Sequence, residues 1–269
     1  MKVKRRRLTL SSARHFLHLI SELVVRDLKS RYVGSLFGPL WAVFAPLLWV
    51  AIYTFVFSVV LKIPLSGEPA GVNFPEYLLA GFLPWIAIQE GLSRAATSLS
   101  DNAAMVKKTV FPKETLVATV VLSAVVNELI GLSLYALYLA RQGHFSGRWA
   151  VFVLPLLAIQ VAATYGVGCL LAGFQVFLRD TAQMVTLGLA MLGFLTPIFY
   201  PVSIVPARFR WVMAANPLAH LLEAFRDVFF RHVLPGATSL GYLALFAAAA
   251  AMLGSLLFIK AEPHFADLL

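Results

Sequence analysis

The sequence has one cysteine in 269 residues, few charged side chains and no nucleotide, protease or metal-site signature. Each absence removes a class of protein. A lone Cys169 inside an apolar run permits neither a disulfide framework nor a thiolate metal site within one chain. Only 13% of residues are charged, where ordinary chains carry about a quarter. With a mean hydropathy of +0.82, a water-soluble globule of this size is excluded. GxxxxGK[ST] is missing, so the chain cannot by itself cradle a nucleotide phosphate; HExxH and GxSxG are missing as well. The first long apolar run begins near Leu36 and is too long for an h-region, so no cleavable signal peptide is expected. No inverted internal repeat is visible.

What is present is apolar: 60% hydrophobic residues, the composition of a one-domain, all-α integral membrane protein. The net charge of +9 does not signal nucleic acid. Nine of the 22 Lys and Arg lie in the first 31 residues, where they read as orientation and headgroup contact. Residues 8–33 place Ala13, Phe16, Ile20, Val24 and Leu28 at helical spacing, with Arg14, His18, Glu22, Arg26, Lys29 and Arg31 elsewhere on the wheel. That pattern predicts an amphipathic helix in the membrane interface, within an N-terminal unit over residues 1–35.

Six spans are expected within residues 36–259, at about 36–61, 77–99, 115–140, 149–178, 181–200 and 237–259, followed by a short polar tail at 260–269. Gly34 and Gly38 form a GxxxG at the entrance of the first span, suited to close approach of a neighbour. Ala158, Ala162, Gly166 and Cys169 form a small-residue stripe on the fourth. With both termini inside, the inner segments hold 14 Lys and Arg and the outer ones seven, so the positive-inside rule selects that orientation. The polar insert DNAAMVKKTVFPKE at 101–114 is then cytoplasmic. The proline-broken stretch at 193–227 lies on the outer face, where it reads as a gate or lining at the exit of a translocation path.

Several residues admit two readings. Glu128, mid-span, costs on the order of 3 kcal/mol unless paired or neutral. It is either a proton or substrate contact, or a hydrogen-bonded group, paired across helices with Gln160 or locally within the Asn127–Glu128 pair. Glu90 and Arg94 are spaced to pair on one helix face. His220 and Glu223 share a face as metal ligands do, but two ligands are an incomplete set, and capping or hydrogen bonding accounts for them equally. Trp49, Tyr53 and Phe57 at i, i+4, i+8, with Phe194, Phe199 and Tyr200, either pack and face lipid or line a conduit. In the second case the aromatic faces would meet the apolar side of sugar rings.

RDLKSRYVGSLFGPLWAVFAPLL at 26–48, MVKKTVFPKETL at 105–116, FLRD at 177–180, TPIFYP at 196–201 and NPLAHLLEAFRD at 216–227 follow one another in a familiar order. Together they resemble the membrane subunits of ABC type-2 polysaccharide exporters, most of all the O-antigen export permeases; capsule and teichoic-acid permeases share much of the pattern. The resemblance implies a homodimer of six-span subunits in the bacterial inner membrane, carrying two copies of a separate cytoplasmic ATPase that holds the ATP and Mg. The cargo it implies is a polysaccharide linked to polyprenyl diphosphate. It implies no catalytic, cofactor or metal site in this chain.

By the same resemblance, residues 101–112 correspond to the coupling helix on the ATPase, with Asp101, Asn102, Val106, Lys107, Lys108, Phe111 and Pro112 at the contact. Residues 200–231 correspond to two short re-entrant outer helices. Arg26, Lys29 and Arg31 either orient the chain or attract the lipid diphosphate. An ion-coupled small-molecule carrier remains the contrasting class, favoured by Glu128 and distinguished by working without an ATPase. A membrane enzyme acting on polyprenyl-linked sugars would want clustered carboxylates or histidines at one membrane face, and none cluster here.

Overall fold

The computed structural model describes residues 10–31, 33–34, 36–109, 111–147 and 151–269, and among these all regular structure is helical. Helix α1 is Leu10–Ser30 and α2 is Trp41–Tyr53, which runs on as a π-helical turn over Thr54–Val60. Then come α3, Phe74–Asp101, the six-residue α4, Ala103–Lys108, and α5, Glu114–Arg141. Helices α6, Val153–Phe177, and α7, Thr181–Leu195, are followed by short α8, Arg210–Ala215, and α9, Pro217–Arg226. Helix α10, Ala237–Ala261, leads into a last turn, α11, at Phe265–Leu268.

Local chemistry sets several of these boundaries. Asn73 caps α3 by accepting from the Glu76 N–H at 3.0 Å, with Pro75 in the first turn, where its missing N–H costs nothing. Asn216 caps α9 in the same way, onto Leu218 N–H at 2.9 Å ahead of Pro217. Helix α7 stops at Leu195 because Thr196, which precedes Pro197, is forced into an extended conformation.

Helix α3 is the axis of the bundle, packed against α5, α6, α7 and α9. The tightest pairing is between α6 and α10, where Gly166 faces the backbone of Ala250 and Gly254 faces the backbone of Gly166. A Cβ on either glycine would collide with main chain. The small-residue stripe therefore acts through Gly166 and buried Cys169, whereas Ala158 is exposed.

Contacts sort into two ends. At one, Lys113 meets Glu262 and α11 packs under α4. At the other, Ser66 meets Ser203, Glu68 meets Arg231 and Glu76 meets His144.

Four described helical stretches are long and apolar enough to cross a membrane: Val43–Val60, Glu114–Arg141, Val153–Phe177 and Ala237–Leu268. Helix α3, at 28 residues or about 42 Å, has the length but carries Glu76, Glu90, Arg94 and Asp101. Helix α7 has 15 residues, about 22 Å of helix, short of a hydrocarbon core of about 30 Å.

The structure departs from the sequence expectations at four places. Gly34 and Gly38 are not a helix face: their φ angles of +78° and +49° lie in the left-handed region, and they turn the chain from α1 into α2, where a Cβ on either would meet nothing within 4 Å among the described residues. The stretch expected as a span over 181–200 is helical only to Leu195. Helix α1 does not rest on lipid alone, because Ile20, Leu23 and Val24 are buried and the helix lies against α5. Finally, the segment 260–269 is not a solvated tail, since the Phe265 ring is fully buried. The expected 1–35 unit includes residues 1–9, 32 and 35 and the side chains of Ala13, Arg14 and Phe16, the 101–112 segment includes residue 110, and the fourth span begins with residues 149 and 150; all of these, with residue 148 before that span, lie outside the described residues.

Candidate functional site

Helix α4 is too short to hold itself, and the residues around it show what does. Asn102 donates its side-chain N–H to Ser98 O at 2.9 Å, and its own carbonyl accepts from the N–H groups of Met105 and Val106. Asp101 accepts from Thr97 Oγ1 at 2.7 Å. Val106 turns inward and is buried beside Phe258 and Phe265, with Phe111 packed on the same cluster. Below it, Lys113 donates to the Glu262 carbonyl at 3.4 Å and lies over the Phe265 ring. Pro112 is exposed, and its carbonyl receives Thr115 Oγ1 at 2.7 Å. Lys107 and Lys108 project outward, and among the described residues neither is in an ion pair. The insert thus presents a doubly cationic edge, seated on an apolar floor that its own sequence does not supply.

The two aromatic sets identified in the sequence meet. Tyr53 and Phe199 have ring centroids 4.5 Å apart, and Phe57 stacks on Phe199 at 5.1 Å with the planes 4° apart. Trp49 stacks on Tyr53 at 5.5 Å, and Phe194 reaches Phe199 at 6.1 Å. Tyr200 donates its hydroxyl to Phe194 O at 2.8 Å. Phe82 and Phe74 of α3 close the back of the cluster. Exposure is graded across it: Phe199 is 5% exposed, Trp49 50% and Phe194 70%. The inner members are therefore packing residues, and the outer two form an open aromatic surface along α2 and α7. Phe74 and Phe82 escaped the sequence reading: Phe82 lies within the span expected at 77–99, and Phe74 just ahead of it, where α3 begins earlier than expected.

The cationic trio divides. Arg26 and Lys29 are exposed, whereas Arg31 is bound to Glu90 and, at 3.0 Å, to Asp27. Arg94 clamps Asp27 with both nitrogens, at 2.5 and 3.0 Å, and meets Glu90 at 3.6 Å. Burial pushes the Asp27 carboxyl up, but Arg94, then the Ser123 hydroxyl and Arg31, outweigh it and hold the group below the usual carboxylate range. The Glu90–Arg94 pair read from the sequence is real, and it belongs to a four-residue network that ties α1 to α3.

Glu128 has its interhelical partner: Gln160 Nε2 donates to Oε2 at 2.6 Å, with both side chains buried. His220 and Glu223 do not converge on a common point. His220 is engaged by Ser239 and the Ala214 carbonyl, while Glu223 binds Arg226 and Arg231. Among the described residues no cluster of three metal-ligating side chains occurs.

The residue that sequence reasoning missed most clearly is Arg226, which is fully buried. Its guanidinium donates to the carbonyls of Pro197 at 2.7 Å and Ile198 at 3.0 Å, binds Glu223 at 2.6 Å, and lies 3.7 Å over the Tyr77 ring. It pins the proline-broken stretch to α3. Arg231 extends this with Glu68 at 2.6 Å, Glu223 at 2.7 Å and Asp227 at 2.8 Å. Together the two arginines hold the Glu223 carboxyl below its ordinary range against the upward push of burial.

Matching the chain to models of known families finds one described as ABC-2 type transporter over residues 18–230, which takes in α4, the aromatic cluster and the Arg226 pin. The chain belongs to the ABC-2 type transporter family. In this ABC-2 chain the α4 insert and the pinned stretch stand at opposite ends of the bundle. Among curated relatives, the O-antigen export system permease protein RfbA of Klebsiella pneumoniae is 32% identical over 221 residues, 81% of this chain and 83% of the relative. The protein of the same name from Myxococcus xanthus is 30% identical over 253 residues, 93% and 94% of the two chains. The polysialic acid transport protein KpsM of Escherichia coli is 20% identical over 244 residues, 90% and 93%. Helix α10 and the Phe265 seat lie mostly beyond the family match.

Proposed function

We propose that this ABC-2 chain is the permease subunit of an ATP-driven exporter that moves a polyprenyl-diphosphate-linked polysaccharide of O-antigen type across the bacterial inner membrane. The observation that carries the reading is the likeness to O-antigen export permeases over four fifths or more of the chain. It is supported by an α4 edge whose two outward lysines have no partner among the described residues. The permease works as a homodimer on two copies of a cytoplasmic ATPase, which supplies ATP and Mg. Six crossings with both termini inside place α4 at the ATPase and α8 and α9 outside, as the 14-to-seven division of Lys and Arg supports. Residues 36–259 then form the transmembrane unit, flanked by 1–35 and 260–269. On this arrangement α3 tolerates its charges because Glu90 and Arg94 are paired within protein, and α7 reaches across with the extended residues that follow it.

Helices α2 and α7 leave large apolar side chains uncovered, among them Leu48 and Met184, as a second copy and a polymer path would require. ATP turnover shifts α4, and the exposed rings of Trp49 and Phe194 from two protomers line the opening, held in place by Tyr53, Phe57, Phe199 and Tyr200 packed behind them. Arg26 and Lys29 stay free for the lipid diphosphate, each cation near the anionic surface contributing about 1 kcal/mol. A capsular polymer is the second reading, favoured by the likeness to KpsM.

Deleting the gene and analysing envelope glycolipids tests both: lipid-linked polymer should accumulate inside, and its sugars identify the class. Unchanged surface and internal glycolipids would overturn the export reading. Two substitutions test the parts. Lys107→Glu with Lys108→Glu should cut co-purified ATPase roughly tenfold or more, since a reversed edge repels what the native edge attracts; an unchanged yield would remove α4 from the docking surface. Trp49→Ala with Phe194→Ala removes the two most exposed rings without disturbing the buried ones, so export should fall several-fold while the complex still assembles. Parental export would leave those rings as lipid-facing surface.

A further inference from the structure

At the α4 end of the bundle a groove of about 320 Å³ opens between α6 and α10. Leu170, Phe174, Leu257 and Phe258 make its walls apolar, and Lys260 and His264 stand at its mouth. Gly173 belongs to the wall, and a Cβ there would meet nothing within 4 Å, so the trough is open where a larger residue would fill it. Lys260 and His264 are exposed, and among the described residues neither is in an ion pair. The wall holds no acidic residue.

Two other grooves on the bundle provide an internal comparison. One runs along Val167, Leu171, Met184 and Leu189, the other along Val43, Leu79, Leu134 and Tyr138, and neither has a charged residue in its lining. A cavity that does hold a cation, Arg31 beside Glu90 and Glu128, has that cation already bound by two carboxylates. Of these four cavities, the trough between α6 and α10 is the one that joins an apolar wall to donors with no ion-pair partner among the described residues. An apolar slot ending in a lysine ammonium and an imidazole N–H donor fits an amphiphile whose chain is hydrocarbon and whose head is anionic. We propose that this groove binds one anionic glycerophospholipid, with an acyl chain along Phe174 and Leu257 and the phosphate held by Lys260 and His264. Lysine offers three donors, and the imidazole offers at least one N–H in either protonation state, so the head is held by hydrogen bonds as well as by charge. Phe177 and Phe258, which wall the groove, also touch Phe265, so the bound lipid adjoins the floor of α4.

The site does not depend on what the permease carries. The test is native mass spectrometry of the full chain, purified in mild detergent from membranes containing phosphatidylglycerol and phosphatidylethanolamine. Wild-type protein should retain about one phosphatidylglycerol per chain in preference to phosphatidylethanolamine. Lys260→Glu with His264→Glu should lower that retention at least tenfold, and Gly173→Leu should block it by filling the trough. Gly188→Leu, in the uncharged groove, should leave it unchanged. The charge variants sit on exposed side chains, and monodisperse elution with an unaltered melting temperature confirms that they fold. For folded protein, titrating phosphatidylglycerol into delipidated samples should raise the melting temperature of the wild type and not of the double variant. Retention that merely mirrors the membrane composition, or that survives both the charge reversal and the filled trough, would overturn the proposal.

Discussion

Replacing Arg226 with alanine is expected to release the whole stretch between α7 and α10 from the bundle. The side chain is fully buried, and its removal strips donors from the carbonyls of Pro197 and Ile198 and leaves Glu223 with one fewer cation. Breaking a buried pair from one side costs about 3–5 kcal/mol, because the remaining charge stays desolvated without its partner. Here two orphaned carbonyls add to that. Thermal unfolding in detergent should therefore show a large fall in melting temperature or no folded protein. Arg226→Lys keeps the charge, but a single ammonium cannot reproduce a fork that spans two carbonyls and a carboxylate, so it should restore only part of the loss. Gly81→Ala attacks the same site from across the interface, since a Cβ there would lie 2.8 Å from Arg226 Nη2. A melting curve for Arg226→Ala that overlays the wild type would mean the pin carries no weight.

Gly254→Ala is the second large effect, and it comes from a single methyl group. On α10 that methyl would strike the backbone of Gly166, and main chain in a helix cannot move aside as a side chain can. Overpacking of this kind costs about 1–3 kcal/mol even where neighbours can adjust. Gly166→Leu, aimed at the Ala250 backbone from the other side, should separate the two helices altogether. Gly241, on the same helix as Gly254, supplies the control: nothing lies within 4 Å of its would-be Cβ. Gly241→Ala should therefore be neutral or stabilise by up to about 1 kcal/mol through helix propensity. Equal melting temperatures for the Gly241 and Gly254 variants would contradict the close approach of α6 and α10.

Much of this was legible in the sequence for one physical reason: in a chain with so little charge, each polar residue must have a partner. That logic anticipated the Glu128–Gln160 bond and the Glu90–Arg94 pair. Helical spacing brought Trp49, Tyr53 and Phe57 onto one face, and proline placed the break after α7. What escaped were contacts between residues far apart in the chain. Nothing local to NPLAHLLEAFRD says that Arg226 reaches back to Pro197 and Tyr77, and nothing in a polar tail says that Phe265 is buried. The same reasoning could have been pressed further, because Arg226, Arg231 and Glu68 are also charges in need of partners, and a lone aromatic among polar residues invites the question of what covers it. Gly34 and Gly38 misled for the opposite reason. Their spacing suits helix packing, but Pro39 follows Gly38, and the chain uses both glycines to turn.

The seat of α4 also sets an order of events during synthesis. Val106 is made early, yet the ring of Phe265 that closes the floor beneath it is made more than half a chain later. At translation rates of about 5–20 residues per second, that separation amounts to roughly ten seconds or more. During that interval α4 exists without its floor, its two lysines attached to a helix too short to persist alone. The α4 edge is thus among the last features of the nascent chain to be seated, so on the proposed docking role an incomplete chain would offer the ATPase no finished surface.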